Sequence, residues 1–296
     1  MPSQEFEQIV ELIKSFPDSS GLSFEEQRKA MEQNTSQSPV ADGVTCESFT
    51  IGKLPAEWIV PPEILNDTII LYLHGGGYCI GSMNTHRSLV SFLSKSAKAK
   101  ALLIDYRLAP EHPFPAAVED AAAAYRWLNS EGYSPERLVI AGDSAGGGLT
   151  IATMLNLKET GNPLPAAGVC LSPWVDMEAM GESAKTKADI DPMVQRDPLL
   201  RMAQAYLGGT DPKTPQASPI HADLTGLPPL LIQVGTAEIL LDDANRLAKC
   251  AKGAGVEVSL EVWDDMVHVW QFFVAWVPEA QKAVEGIAEF IRKHVG

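Results

Sequence analysis

Leu138-Val139-Ile140-Ala141-Gly142-Asp143-Ser144-Ala145-Gly146-Gly147-Gly148 decides how this chain reads. An apolar run ends at Gly142. Asp143 and Ser144 follow, and residues from Ala145 to Leu155 have helical character. The G-x-S-x-G spacing sets a serine on a tight strand-to-helix turn. Glycines on both sides let neighbouring backbone approach, and the hydroxyl is raised above the sheet. A packing turn with an inert serine is the plainer alternative, and the strand before Ser144 and the helix after it weigh against it.

Outward from this turn, strands and helices alternate. The pattern predicts strands at 44–52, 56–60, 67–73, 100–106, 137–142, 167–172, 229–235 and 258–263. Helices are predicted at 85–97, 115–130, 145–158, 242–254 and 277–293. Runs such as Ile69-Ile70-Leu71-Tyr72-Leu73 and Leu230-Leu231-Ile232-Gln233-Val234 suit a sheet covered on both faces. The expected architecture is α/β, a mostly parallel eight-stranded sheet with right-handed crossovers. The stretch from Trp174 to Pro229 is too long for a plain loop, so helices are expected near 180–189 and 198–206, above the sheet.

The first 40 residues read apart from the rest. Phe6, Ile9, Val10 and Ile13 predict a helix over 3–16, which Pro17-Asp18-Ser19-Ser20-Gly21 breaks. Ser23 and Glu26 form a capping box that opens a second helix through about Met31, with a polar loop from Gln33 to Gly43. Periodicity alone allows surface packing, the simpler reading, or a lid.

Composition narrows the function. With 23 Lys and Arg against 38 Asp and Glu, the net charge is −15. Such a field repels nucleic-acid phosphates and anionic lipid, so neither is an expected partner. No run of ~18 apolar residues exists to span a membrane. The N-terminus from Met1 carries glutamates where a secretion signal carries Lys or Arg. Cys46, Cys79, Cys170 and Cys250 are scattered without C-x-x-C spacing, so neither a disulfide framework nor a zinc site is expected. The expectation is a cytoplasmic enzyme without metal or cofactor.

His74-Gly75-Gly76-Gly77 directly follows the predicted strand 67–73. Acyl transfer develops an oxyanion at which backbone N–H groups must point, and glycines allow that approach. A turning loop or a phosphate nest uses glycines too, but no G-K-[ST] follows here. A serine also needs a base, and the base an orienting acid. In strand–turn–helix serine sites the chain order is serine, acid, histidine. His74, His86 and His112 precede Ser144, and His221 precedes the acid segment. His294 ends the C-terminal helix. His268, just after the last strand, remains. The acid candidates after strand 229–235 are Glu238, Asp242 and Asp243. Glu238 lies nearest the strand's C-terminal end, while Asp242 and Asp243 open a helix, where carboxylates suit its dipole. Glu238 is favoured, with Asp242 as the alternative.

These segments, together with Tyr106-Arg107-Leu108-Ala109-Pro110-Glu111-His112-Pro113-Phe114-Pro115-Ala116-Ala117, resemble the bacterial hormone-sensitive-lipase family of α/β-hydrolase esterases. The resemblance implies an α/β-hydrolase fold with a helical cap. It gives Ser144 as nucleophile, His268 as base, and Gly76, Gly77 and Ala145 as oxyanion donors, with Asp143 supporting the turn. The family's acid sits in Asp-Pro-Leu-x-Asp. Laid on this chain, the catalytic position is Glu238, with Ile239 in place of the proline, and the later aspartate is Asp242. The implied cap comprises residues 1–40 and about 176–210, over a catalytic domain spanning 41–296. Phe16, Tyr78, Trp174, Met193 and Leu240 are the expected pocket liners. The implied substrate is a short-chain ester, and the implied assembly a homodimer through strand 258–263. An amidase or deacetylase would use the same triad. A non-catalytic receptor on this fold would lack the histidine present here. A long-chain lipase would need an interfacial anchor that the sequence does not offer.

Overall fold

The computed structural model describes residues 2–17 and 19–296, so Met1 and the Asp18 of the expected helix break lie outside the described residues. In chain order the elements are α1 (Gln4–Ser15), α2 (Phe24–Thr35), β1 (Thr45–Ile51), β2 (Leu54–Val60), β3 (Ile69–Leu73), α3 (Met83–Ala97), β4 (Lys100–Ile104), α4 (Ala116–Ser130), β5 (Leu138–Asp143), α5 (Ala145–Glu159), β6 (Ala167–Leu171), α6 (Ser183–Thr186), α7 (Arg196–Leu207), β7 (Leu230–Gly235), α8 (Leu241–Gly253), β8 (Val258–Trp263) and α9 (Pro278–His294). The eight strands form one sheet in the order β1-β2-β4-β3-β5-β6-β7-β8. β1 and β2 pair antiparallel, as do β2 and β4, and the remaining pairs among the described residues are parallel.

Alternation along the strands divides the core in two. Ile69, Leu71, Leu138 and Ile140 pack with α4, α5 and α8 on one face. Ile70, Tyr72, Val139 and Ala141 pack with α3, α9 and Phe6 of α1 on the other. The order reverses between β3 and β5, because β4 lies on one side of β3 and β6 on the far side of β5. At such a switch point the two following loops diverge and leave a crevice at the strands' C-terminal ends. His74–Gly77 and Asp143–Ser144 both emerge there.

Two expected elements differ. α2 runs one turn past Met31, to Thr35, whose hydroxyl donates to the Met31 carbonyl. The helix expected at 180–189 is only the single turn α6. Beyond it Asp191 turns the chain by accepting the Met193 and Val194 amides, so the segment reaches toward the end of β7 instead of continuing as a helix.

Candidate active site

Ser144 sits between β5 and α5 with φ 53° and ψ −119°, a left-handed conformation that costs a non-glycine residue energy. The turn is held from below, since Ser144 N–H donates to Leu171 O at 2.8 Å and Trp174 N–H donates to Ser144 O at 2.9 Å. Gly146 is required by close approach. A Cβ there would lie 1.9 Å from the Leu73 carbonyl oxygen, so α5 starts directly against the end of β3. Ala145 is the first residue of α5, where N–H groups lack intrahelical acceptors.

The loop after β3 is locked to the same turn. Asp143 is buried, accepts from Tyr72 Oη at 2.9 Å and Gly75 N–H at 3.2 Å, and lies 3.3 Å from His86 Nε2. Burial opposes its charge, but His86 and the Tyr72 hydroxyl outweigh this and hold its carboxyl below the ordinary range. Gly76 has φ +109°, and a Cβ on it would stand 2.3 Å from Ile80 O, so only glycine fits. His74, excluded as the base on chain order, is buried and stacked on Tyr106 at 4.2 Å between ring centroids. Burial and neighbouring His86 push its pKa down to about 3, which keeps it neutral.

His268 and Glu238 come together as a buried pair, with His268 Nδ1 2.8 Å from Glu238 Oε2. Glu238 Oε1 accepts from Gly235 N–H and from the Ser172 hydroxyl, both at 2.7 Å. Ser172 Oγ in turn accepts from Val269 N–H at 3.1 Å. One hydroxyl at the tip of β6 therefore ties the carboxylate to the residue after His268. Burial opposes a charged His268. The Glu238 hydrogen bond and the charges of Glu238, Asp191 and Asp143 prevail, so its pKa lies above the ordinary histidine value.

The alternative acid is placed elsewhere. Asp242 accepts the Ser183 amide at 2.8 Å, joining α8 to α6. Asp243 is buried beneath the Val175 and Asp176 amides, which donate to it at 3.0 and 3.1 Å. Burial pushes its pKa up to about 7.

Three of the expected pocket liners need correction. Tyr78 stacks on Tyr206 at 3.7 Å, Trp174 donates its indole N–H to Asp176 O, and Leu240 is enclosed. All three are core residues with no surface left for a substrate in this conformation. Phe16 is 45% and Met193 41% exposed. What faces the His74–Gly77 loop is Met202 of α7, whose sulfur would lie 2.2 Å from a Cβ on Gly77. The sequence shows no metal-ligand spacing, yet the fold gathers Asp176, Glu178 and His221 within 4.8 Å of one another. There Asp176 is already ion-paired with Arg246 at 2.6 Å.

Ser172 escaped the sequence reading as a site residue, because its partners are distant in sequence. Its position as the last residue of the predicted strand 167–172 was the available signal, since sites on such sheets gather at strand C-termini.

Residues 70–272 match a family described as having the alpha/beta hydrolase fold. An acetyl-hydrolase of Streptomyces hygroscopicus is 49% identical over 247 residues, covering 83% of this chain and 82% of that protein. An esterase of Acinetobacter venetianus is 38% identical over 75% of this chain and 74% of its own length. A crystal structure of an esterase from the bacterial hormone-sensitive lipase family superposes with a TM-score of 0.96, at 49% identity over 100% of both chains.

Proposed function

The chain belongs to the alpha/beta hydrolase fold family, among the serine esterases of the bacterial hormone-sensitive lipase type, and on that premise we propose that it hydrolyses short-chain acyl esters through Ser144, His268 and Glu238. The observation that carries this reading is the buried 2.8 Å contact between His268 Nδ1 and Glu238 Oε2. With Nδ1–H donated to the carboxylate, the neutral ring keeps its lone pair on Nε2, the nitrogen a general base must use.

In the proposed cycle His268 Nε2 takes the Ser144 proton as Oγ attacks the ester carbonyl. The oxyanion is held by the amides of Gly76, Gly77 and Ala145. The tetrahedral intermediate collapses as His268 protonates the departing alcohol, leaving an acyl-Ser144. Water, deprotonated by His268, then releases the acid. Glu238 orients the imidazole and stabilises its cation. No step calls for a metal or cofactor.

Residues 1–40 and about 176–210 form the cap in this reading, and 41–296 the catalytic domain to which the second segment is attached. Arg201 of α7 donates to Ser20 O at 2.7 Å and Leu22 O at 2.9 Å, joining the two cap segments. Arg28 of α2 donates to Cys79 O at 2.7 Å and Ala109 O at 2.8 Å, fastening the cap beside the oxyanion loop. Met202 over Gly77 crowds that loop and favours small acyl groups. Among the described residues no helix is long and apolar enough to cross a membrane. A cytoplasmic homodimer paired through the edge strand β8 completes the proposal.

The test is hydrolysis of p-nitrophenyl acetate, butyrate, octanoate and palmitate. Rates should peak at acetate or butyrate. The naming of a 49%-identical relative as an acetyl-hydrolase puts acetyl esters first. Fastest turnover of palmitate would refute the short-chain reading. Matched amides should be far poorer substrates, and an amide preference would favour the amidase alternative.

The pH dependence has a definite sign. Only neutral imidazole acts as base, and the His268 pKa is raised. The acid limb of kcat/KM should therefore be centred above ~6.5, the ordinary histidine value, with activity lost as pH falls through it. A rate unchanged between pH 8 and pH 5 would exclude a histidine base.

Ser172→Ala removes one donor from the buried Glu238 and one acceptor from Val269. An unmet buried hydrogen bond costs about 1–3 kcal/mol, so kcat should fall roughly 10-fold or more. Ser172→Thr, which keeps the hydroxyl, should recover part of the loss. Equal kcat in wild type and the alanine variant would remove Ser172 from the site.

A further inference from the structure

One buried carboxylate beside the site has no part in the cycle above. Asp191 lies between α6 and α7, in the proposed cap, and is 4% exposed. Its Oδ1 accepts from the Met193 and Val194 amides, both at 2.9 Å. Its Oδ2 accepts from Ile239 N–H at 2.8 Å. Ile239 directly follows Glu238, 48 residues away in sequence from Asp191. In the Asp-Pro-Leu pattern that this chain resembles, a proline occupies this place, and proline has no N–H to give. The departure to isoleucine creates a donor, and a cap carboxylate takes it.

We propose that Asp191 is a positioning residue for the catalytic pair, fixing the Glu238 turn from the cap side and directing a second negative charge toward the His268 imidazolium. The proposal rests on the triad reading above. A buried carboxylate is costly unless it is hydrogen-bonded or paired, and three amides meet the first condition here. The second is met only when His268 is protonated. Burial raises the Asp191 pKa, and attraction to His268 is the largest effect opposing that rise. His268 is stabilised as a cation in return. Imidazolium forms each time His268 takes the Ser144 proton, so a nearby anion favours that step over the resting state.

The charged groups acting on His268 come from three elements besides its own loop. Glu238 faces it from the turn after β7, Asp191 from the cap, and Asp143 from the end of β5, where His86 stands against the aspartate. Asp264 and Asp265 lie on the loop of His268 itself. Of these, Asp191 alone belongs to the cap segments. Its bond to Ile239 therefore couples the seating of the cap to the geometry of the acid.

The experiment is an NMR titration of the His268 ring in wild type and Asp191→Asn, with pH profiles of kcat and KM for both. Asparagine removes the charge and turns an NH2 toward an amide that needs an acceptor. The His268 midpoint should fall by roughly one pH unit, as expected for loss of a nearby opposite charge. The acid limb of kcat should move with it, kcat should drop about 10- to 100-fold, and KM should stay within about 3-fold. A purely structural aspartate would lower activity without moving the midpoint downward, so an unmoved or raised midpoint in a folded variant overturns the proposal. Should Asp191→Asn not fold, wild type still decides the tether. The Ile239 amide proton must shift with titration of the Asp191 carboxyl carbon, and an insensitive amide overturns the proposal. Failure of the triad reading is separately visible: His268→Ala would then retain turnover, whereas failure of this proposal alone leaves His268 essential with an unmoved midpoint.

Discussion

Replacing Ser144 with alanine should abolish measurable ester turnover, a loss of at least about 10⁴-fold in kcat, while leaving the fold intact. Loss of a serine nucleophile from a site of this kind leaves only catalysis by water within a bound complex. The stability side of the prediction follows from the backbone. Ser144 holds φ 53° whatever its side chain, and alanine meets no greater strain there than serine. Its N–H and C=O bonds to Leu171 and Trp174 are main-chain bonds and persist. The variant should melt within a few degrees of wild type. It should also resist covalent labelling by a fluorophosphonate that adds to wild type. Near-normal hydrolysis by a folded Ser144→Ala protein would dismiss the serine mechanism.

The inner strands were legible because they are short, near-continuous apolar runs, and local pattern alone identifies such runs. β3, β5 and β7 fall within a residue or two of their predicted limits. The strand order was not read from the sequence; the reversal between β3 and β5 sets the two glycine-bearing loops, His74–Gly77 and Gly142–Gly148, side by side. The segments proposed as the cap were less legible, because their shape depends on partners far away in sequence. α6 stops after one turn since Asp191 is drawn to Ile239, and nothing within 180–189 encodes that attraction. Ser172 was hidden for the same reason. Its two hydrogen bonds reach Glu238 and Val269, 66 and 97 residues away. Three of the five expected pocket liners, Tyr78, Trp174 and Leu240, differ on a third ground. Aromatic residues near a site in sequence are as ready to fill its floor as to line its opening, and Tyr78 and Trp174 do the former.

The second large effect separates two carboxylates four residues apart. Glu238→Ala should lower kcat by about 10³- to 10⁴-fold, and Asp242→Ala by less than about 10-fold. Both could serve as the acid on sequence order, and the surroundings decide between them. Removing the Glu238 carboxylate strips His268 Nδ1 of its acceptor and leaves the Ser172 hydroxyl and Gly235 amide unmet in a buried space. The imidazole is then free to rotate, and its tautomer is no longer fixed with Nε2 as the base. Its pKa should fall as well, since the Glu238 hydrogen bond and charge are the leading influences raising it. The remaining activity should thus show an acid limb displaced to lower pH. Asp242 instead accepts the Ser183 amide at the start of α8. Its loss weakens the seating of α6 and the first turn of α8 by about 1 kcal/mol, which a denaturant midpoint registers and kcat barely does. Glu238→Asp tests the remaining point. The shorter side chain keeps the charge but withdraws it by one methylene from a pair set at 2.8 Å, so activity should be intermediate. If Asp242→Ala proved the more damaging change, the acid would move to Asp242, and the 2.8 Å pair would be reduced to a structural contact.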